Sequence, residues 1–136
     1  MRRCACSLLL TGMLAGCQQA SSRGVQAAAA YPAALHTTDI VAIQVFRSGS
    51  DIELVNATAV DYQDATLWIN QQFTHPLPSL PAGSAVSLNL WSFHDRFGEP
   101  FNAGGLWRTD EPDSLVMIEI QRGEAPMVGL LVVGSP

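Results

Sequence analysis

Apolar residues recur at every second position in short runs from residue 39 to the end of the chain. The runs 41–45 and 86–90 show this most clearly, with Val, Ile or Leu alternating with smaller or polar residues. Side chains of a strand point alternately to its two faces, so this period indicates strands with one buried face. No segment after residue 38 has the 3.6-residue apolar spacing of an amphipathic helix. The pattern therefore predicts an all-β domain.

Turn-forming residues separate the predicted strands. Clusters of Pro, Gly, Asn and Asp predict turns that include 75–78, 81–84, 95–98 and 111–113. Seven short strands in about 95 residues are typical of a small immunoglobulin-like antiparallel β-sandwich, and a small β-barrel is the alternative. The predicted strands are 41–45, 52–56, 67–72, 86–91, 105–108, 116–121 and 127–133.

The N-terminus has the layout of a secretory signal. Two arginines are followed by an apolar run shorter than the roughly 17 residues that a membrane-spanning helix needs. The run ends in Leu14-Ala15-Gly16-Cys17, which resembles the lipobox of bacterial lipoproteins. The resemblance implies cleavage before Cys17, a diacylglycerol on its sulfur and an acyl group such as palmitate on its new amino group. Several acyl chains anchor a protein stably, whereas one chain binds a membrane only marginally.

The residue after the cysteine bears on the destination of the protein. In bacteria with two membranes, the lipoprotein resemblance implies retention in the inner membrane when this residue is Asp, and here it is Gln18. We therefore predict a lipid-anchored protein of the cell envelope, at the periplasmic face of the outer membrane.

Composition divides the chain into three parts. The lipoprotein signal peptide is 1–16. Residues 17–38 are rich in Ala, Ser and Gln and lack a core pattern, which predicts a flexible, lipidated tether. The predicted β-sandwich domain is 39–136.

The positions of the cysteines and the net charge limit how the domain can be stabilised and what it can bind. All three cysteines lie at or before Cys17, so the mature chain cannot form an intramolecular disulfide and its core alone must stabilise it. The mature chain has twelve acidic residues against five arginines, a formal net charge of −7, and no lysine. Such a balance argues against nucleic acid as a partner and against electrostatic adhesion to anionic lipid.

One stretch of the domain resembles small exported bacterial β-domains. It contains a Val-Asn-x-Thr turn at 55–58, a Pro-Ala-Gly bend at 81–83 and an Asp-x-x-Gly turn at 95–98. Over residues 52–101 it is similar to uncharacterised FxLYD-type and other immunoglobulin-like lipoprotein domains. This resemblance implies a β-sandwich and carries no activity.

Residues that could support chemistry are few. No nucleophile motif, phosphate loop or pair of histidines at zinc-ligand spacing occurs. We therefore predict a non-enzymatic accessory or binding domain without a catalytic site, cofactor or metal. The alternative is a small hydrolase or metal-binding domain that uses His94, Asp95 and the acidic turn Asp110–Asp113.

Aromatic residues are the candidates for a binding surface. Trp68 and Trp91 lie out of phase with the aliphatic residues of their predicted strands, and Trp107 lies near a turn. Together with four phenylalanines they form either one exposed patch for an envelope protein or glycan, or a second layer of the core. The four are Phe73, Phe93, Phe97 and Phe101.

Overall fold

The computed structural model describes residues 28–105 and 109–134. Strands dominate these residues, and none of the helices among them is long and apolar enough to cross a membrane. The helices are single 3-10 turns at Ala33–Leu35 and Leu90–Ser92. The strands are β1 (Ile40–Ser48), β2 (Asp51–Asn56), β3 (Tyr62–Ile69), β4 (Phe73–Leu80), β5 (Ala85–Asn89), β6 (Ile118–Gln121) and β7 (Val128–Val133).

The strands belong to one mixed sheet with the order β4-β3-β6-β7-β1-β2-β5. Neighbouring strands are antiparallel except β1 and β7, which run parallel with a shift of register between Val41 and Gln44. Thr74 of β4 pairs with His94, which follows β5, so the two outer strands approach each other. The sheet thus forms a nearly closed, barrel-like sandwich. The all-β prediction is confirmed, whereas the immunoglobulin-like part of it is not confirmed by this strand order.

Inward-facing side chains from around the sheet meet in one apolar core. On β1, Ile43 and Val45 are fully buried while Gln44 between them is exposed. Burial of this apolar surface is the main stabilising term, because no cysteine follows Cys17 and the described residues cannot form a disulfide. The buried members of the core are Ile43, Val45, Ile52, Leu54, Tyr62, Ala65, Leu67, Ile69, Phe73, Leu77, Leu80, Leu90, Phe93, Phe101, Ala103, Ile118, Ile120 and Leu130.

The β3–β4 hairpin corrects two sequence predictions. The third strand was expected at 67–72, but β3 ends at Ile69, and Asn70 and Gln71 have left-handed φ values of 51° and 59°. Two successive positive φ values make the tight hairpin turn that Asn-Gly usually forms. Asn70 holds this conformation through its side chain, which donates to Ser114 O and accepts from the amides of Val116 and Met117. These partners lie more than forty residues away along the chain, so the local sequence did not indicate the turn.

The predicted turn at 75–78 is wrong, because these residues lie inside β4. Prolines 76 and 78 cannot donate a ladder hydrogen bond, and such residues are confined to edge strands. β4 is an edge strand of the sheet order and pairs with β3 on one side. Leu77, between the two prolines, is fully buried.

Of the other predicted strands, the structure confirms three and changes the bounds of two. Those at 41–45, 52–56 and 127–133 are confirmed as β1, β2 and β7 within a few residues. The one at 86–91 is shorter than predicted, since β5 ends at Asn89, and the one at 116–121 begins only at Ile118. For the predicted strand 105–108, Gly105 lies in a loop and 106–108 lie outside the described residues. Also outside them are the signal peptide, Cys17 and residues 18–27 of the predicted tether.

Candidate functional site

Exposed apolar side chains cluster on one part of the outer surface of the sheet. Of the seven large apolar residues that are exposed within the described ranges, two are on β1, two on β7 and one, Val116, lies two residues before β6. A contiguous exposed apolar surface on a soluble domain commonly marks an interaction site. We call this surface the outer face; it consists of Ile40, Phe46, Val116, Leu131 and Val133.

Strand alternation and register bring the outer face together. The inward residues of β1 and β7 enter the core, so the intervening residues point outward. Phe46 lies opposite Val133 in the parallel ladder, and Leu131 lies opposite Gln44. From residue 40 to residue 46 the strand runs about 20 Å at the usual rise of roughly 3.3 Å per residue. The outer face is therefore an elongated apolar stripe along the β1–β7 pair.

A groove of about 570 Å³ lies at one end of the stripe. Ile40, Val116 and Leu131 line it, and Gly129 contributes a stretch of wall without a side chain. A Cβ atom at Gly129 would lie 3.4 Å from Asp39 O, so the strand backbones approach closely there. The groove also contains His36, Asp39 and Glu119, which makes one end of an apolar cleft polar.

Glu119 is a buried carboxylate on the outward side of β6. Its side chain is 1% exposed, although the alternation of β6 directs it away from the core residues Ile118 and Ile120. Tyr31 donates to Oε2 at 2.8 Å, and His36 Nδ1 lies 2.7 Å from Oε1. A carboxylate only accepts hydrogen bonds, so this geometry places the Nδ1 hydrogen on His36.

Residues 28–38, assigned to the tether from the sequence, lie in part against the sheet. Met127 N donates to Leu35 O, and Thr37 Oγ1 donates to Met127 O. The Tyr31 ring packs edge-on against Trp68 with centroids 5.3 Å apart. Burial, the hydrogen bond to Glu119 and the charge of that carboxylate raise the pKa of Tyr31 to about 12. The segment 28–38 thus covers the outward side of β3 and β6.

Tyr31→Phe is expected to lower the free energy of unfolding by about 2 kcal/mol, because it removes a hydrogen bond to a charged, buried acceptor. Urea melts measure the loss, and hydrogen exchange at Met127 N reports whether segment 28–38 loosens. In a Glu119→Gln background the same change should cost less, since a neutral amide oxygen accepts a weaker hydrogen bond. Equal costs in both backgrounds would contradict the assigned contact.

The residues of the enzymatic alternative are held in separate loops. Asp95 Oδ1 accepts from Phe97 N and Glu99 N and so closes the 95–98 turn. Asp113 Oδ2 accepts from Asn102 N. Over the described part of the chain, no three His, Cys, Asp or Glu side chains lie where they could hold a metal ion together. The predicted Asp-x-x-Gly turn itself is present, with Gly98 at a φ of 85°.

From the surroundings of the Asp95 carboxyl we predict that the stability of the fold depends on pH. Burial alone would raise the pKa of its carboxyl, but hydrogen bonds from Glu99, Phe97, Gln72 and Gly98 outweigh it and lower the pKa below its ordinary value. A carboxyl whose pKa is lower in the folded state than in the unfolded state stabilises the fold when it is ionised. This stabilisation is fully present above the unfolded-state pKa and is lost as the pH falls through the folded-state pKa. Thermal midpoints of wild type and Asp95→Asn should therefore differ most at neutral pH and converge in acid. A difference independent of pH would contradict this role for the charge.

The aromatic residues divide between core and surface. Phe73, Phe93 and Phe101 are buried in the core. Trp91 is half-buried against the core, whereas Phe97 is 72% exposed. Trp68 is buried on the other side of the sheet, where it donates to Gln121 Oε1 at 2.8 Å. Trp107 lies outside the described residues, and the described aromatics do not form one exposed patch.

Sequence reasoning missed the outer face and the Glu119 cluster. Ile40 and Phe46 lie just outside the alternating run 41–45 of β1, and Leu131 and Val133 lie in a continuous apolar run, so the sequence did not mark these four residues as exposed. The continuous apolar run 127–133 is typical of a strand that is buried on both faces or closes the sheet, but Leu131 is 42% exposed. Glu119 stands between two isoleucines in the alternating run 116–121, and this pattern gives no sign that the carboxylate is buried. No local signal connects it to Tyr31, eighty-eight residues earlier.

Comparisons of the chain with protein-family models, with curated proteins and with solved structures found no match. The function is therefore argued from the sequence and from the geometry above.

Proposed function

We propose that this protein is a lipid-anchored component of the bacterial envelope whose β-domain binds a partner through the outer face and catalyses no reaction. The observation that carries the proposal is that, within the described ranges, five of the seven exposed large apolar residues belong to the outer face, four of them on β1 and β7. The energetic reason is that covering a fully exposed Val, Leu, Ile or Phe side chain contributes about 1.5–3 kcal/mol, and a partly exposed one contributes in proportion to its exposed area. The residues of the enzymatic alternative offer no comparable arrangement. The carboxylates of Asp95 and Asp113 each accept a hydrogen bond from a backbone amide of the loop that contains them.

Anchoring is the second part of the proposal, and the lipobox supports it. Replacement of Cys17 by Ser removes the thiol that accepts the diacylglycerol, so the variant should lose acyl labelling and leave the membrane fraction. Fractionation of wild-type cells should place the protein in the outer membrane, at its periplasmic face. Unchanged labelling of Cys17→Ser would contradict lipidation, and residence wholly in the inner membrane would contradict the location.

The binding surface is tested by site-specific photo-crosslinking in cells. A photoreactive amino acid at position 131 lies in the outer face, whereas the same group at position 60 replaces Val60, which is 44% exposed in the β2–β3 loop. We expect one defined adduct from position 131 and none from position 60. Equal adducts from both positions, or none from 131, would contradict a partner at the outer face.

A further inference from the structure

Acidic side chains border the outer face. Asp39, which is exposed, lines the groove beside Ile40. Glu53 of β2 is exposed and lies directly opposite Phe46 in the antiparallel ladder. Cross-strand partners share a face of a sheet, so Glu53 flanks the apolar stripe. Glu119 also lines the groove, but it is buried and bonded to Tyr31 and His36, so the exposed carboxylates beside the stripe are those of Asp39 and Glu53.

The arginines of the described residues lie elsewhere. Arg96 packs over the exposed ring of Phe97, and Arg122 over the ring of Tyr62. Arg47 donates to Asp113 O and Ala103 O at one end of the barrel. None of these three arginines lines the groove. Among the described residues, the outer face therefore combines an apolar centre with two exposed carboxylates at its border, and the only basic group in its groove, His36, is bonded to Glu119.

Resting on the proposed function, we infer that the partner at the outer face is a basic amphipathic polypeptide segment. Apolar side chains of the segment cover Ile40, Leu131 and Val133, and its Lys or Arg side chains lie beside Asp39 and Glu53. Charge complementarity of this kind selects the partner and accelerates association. A stripe of about 20 Å matches about four turns of helix, as in helix-in-groove recognition.

The same charges disfavour other occupants. Two copies of this chain would bring Asp39 and Glu53 of one molecule toward the same carboxylates of another. The formal net charge of −7 for the mature chain adds to that repulsion. An anionic lipid surface would meet the same border of carboxylates. A basic polypeptide is the occupant for which both the apolar and the charged parts of the surface are complementary.

Two designed 14-residue amphipathic peptides test the inference: one of Leu and Lys, the other with every Lys replaced by Glu. The protein is the mature chain 17–136 with Cys17→Ser, and fluorescence anisotropy measures binding at low and at high salt. We expect the Leu–Lys peptide to bind at least about tenfold more tightly than the Leu–Glu peptide. Salt should reduce this preference, because border charges are screened.

Matched variants assign the binding to the surface. Leu131→Ser and Ile40→Ser should each weaken the Leu–Lys peptide about tenfold, which corresponds to 1.4 kcal/mol, and Val60→Ser should not. Asp39→Asn combined with Glu53→Gln should weaken it severalfold. Glu99→Gln, near the β4–β5 closure on the opposite side of the barrel, should leave it unchanged. Thermal melts confirm that each variant is folded.

The outcomes separate the inference from the proposed function. Equal binding of both peptides, lost in Leu131→Ser, would overturn the basic partner and retain the outer face as a binding surface. Binding that Leu131→Ser and Ile40→Ser leave unchanged would overturn both. A dimer in sedimentation that Leu131→Ser dissociates would make a second copy the occupant. Adsorption to anionic vesicles that depends on Leu131 would make it a membrane surface. Either result overturns the inference.

Discussion

Phe101→Ala is expected to lower the free energy of unfolding by about 3–5 kcal/mol, the cost of emptying a large site in a core. The side chain is fully buried, and its ring meets Phe73 edge-on with centroids 5.2 Å apart. The Arg47 guanidinium lies 5.7 Å from the centre of the same ring, so the substitution also removes a cation–π contact. Because total stabilities of such domains are about 5–15 kcal/mol, this loss is a large fraction of the total and should clearly lower the denaturant midpoint.

Phe97→Ala is the matched control for this prediction. Phe97 has the same side chain four residues earlier, but it is 72% exposed, with the Arg96 guanidinium 4.6 Å from the centre of its ring. Its removal should change the free energy of unfolding by about 0.5 kcal/mol or less. Denaturant melts of both variants measure the contrast. Similar midpoints would mean that residues 95–101 are placed incorrectly relative to the core.

Asn56→Ala is expected to cost about 3 kcal/mol, because it leaves several buried backbone groups without partners. Asn56 is fully buried at the end of β2. Its Nδ2 donates to the carbonyl oxygens of Val60, Leu80 and Pro81 at 2.8–3.1 Å. Its Oδ1 accepts from both the amide and the hydroxyl of Thr58. Through these hydrogen bonds the Asn56 side chain connects the β2–β3 loop to the end of β4.

Gln63→Ala provides the comparison for Asn56. Gln63 is an exposed amide on β3, so its truncation should cost about 0.5 kcal/mol or less. Asn56→Asp should also be destabilising, because a carboxylate cannot donate to the three carbonyl oxygens. Urea melts decide, and hydrogen exchange should show early opening at the amides of Thr58 and Gly83. A neutral effect of Asn56→Ala would contradict this assignment.

Strand positions could be predicted where polar and apolar residues alternate. In β1 and β2 the buried residues Ile43, Val45, Ile52 and Leu54 follow that alternation. The hairpin 69–73 could not be predicted in this way. Its turn uses Asn70-Gln71, whose left-handed backbone is held by contacts with residues 114–117. β4 could not be predicted because it contains two prolines, which a strand tolerates only at the edge of a sheet. Whether a strand lies at an edge depends on the sheet order.

For the candidate site, too, the sequence shows the residues, and only the tertiary structure shows how they are arranged. Its apolar residues are visible in the sequence, but Ile40, Phe46 and Leu131 resemble the core residues beside them. Their exposure depends on which faces of β1 and β7 turn inward. Parallel pairing of β1 with β7 joins segments almost ninety residues apart, and that pairing creates the stripe. Glu119 is buried because segment 28–38 returns to the outward side of β6, a long-range arrangement without a local pattern.

By itself the sequence determined the fold class, the absence of any cysteine after Cys17 and the acidic charge. The lipobox prediction also comes from the sequence alone. Each of these follows from composition or from neighbouring residues. Only the tertiary structure decided the sheet order, the edge position of β4, which aromatics are buried and where exposed apolar side chains meet carboxylates. These depend on which strands pair, and pairing is set by the burial of a shared core across long separations in the chain.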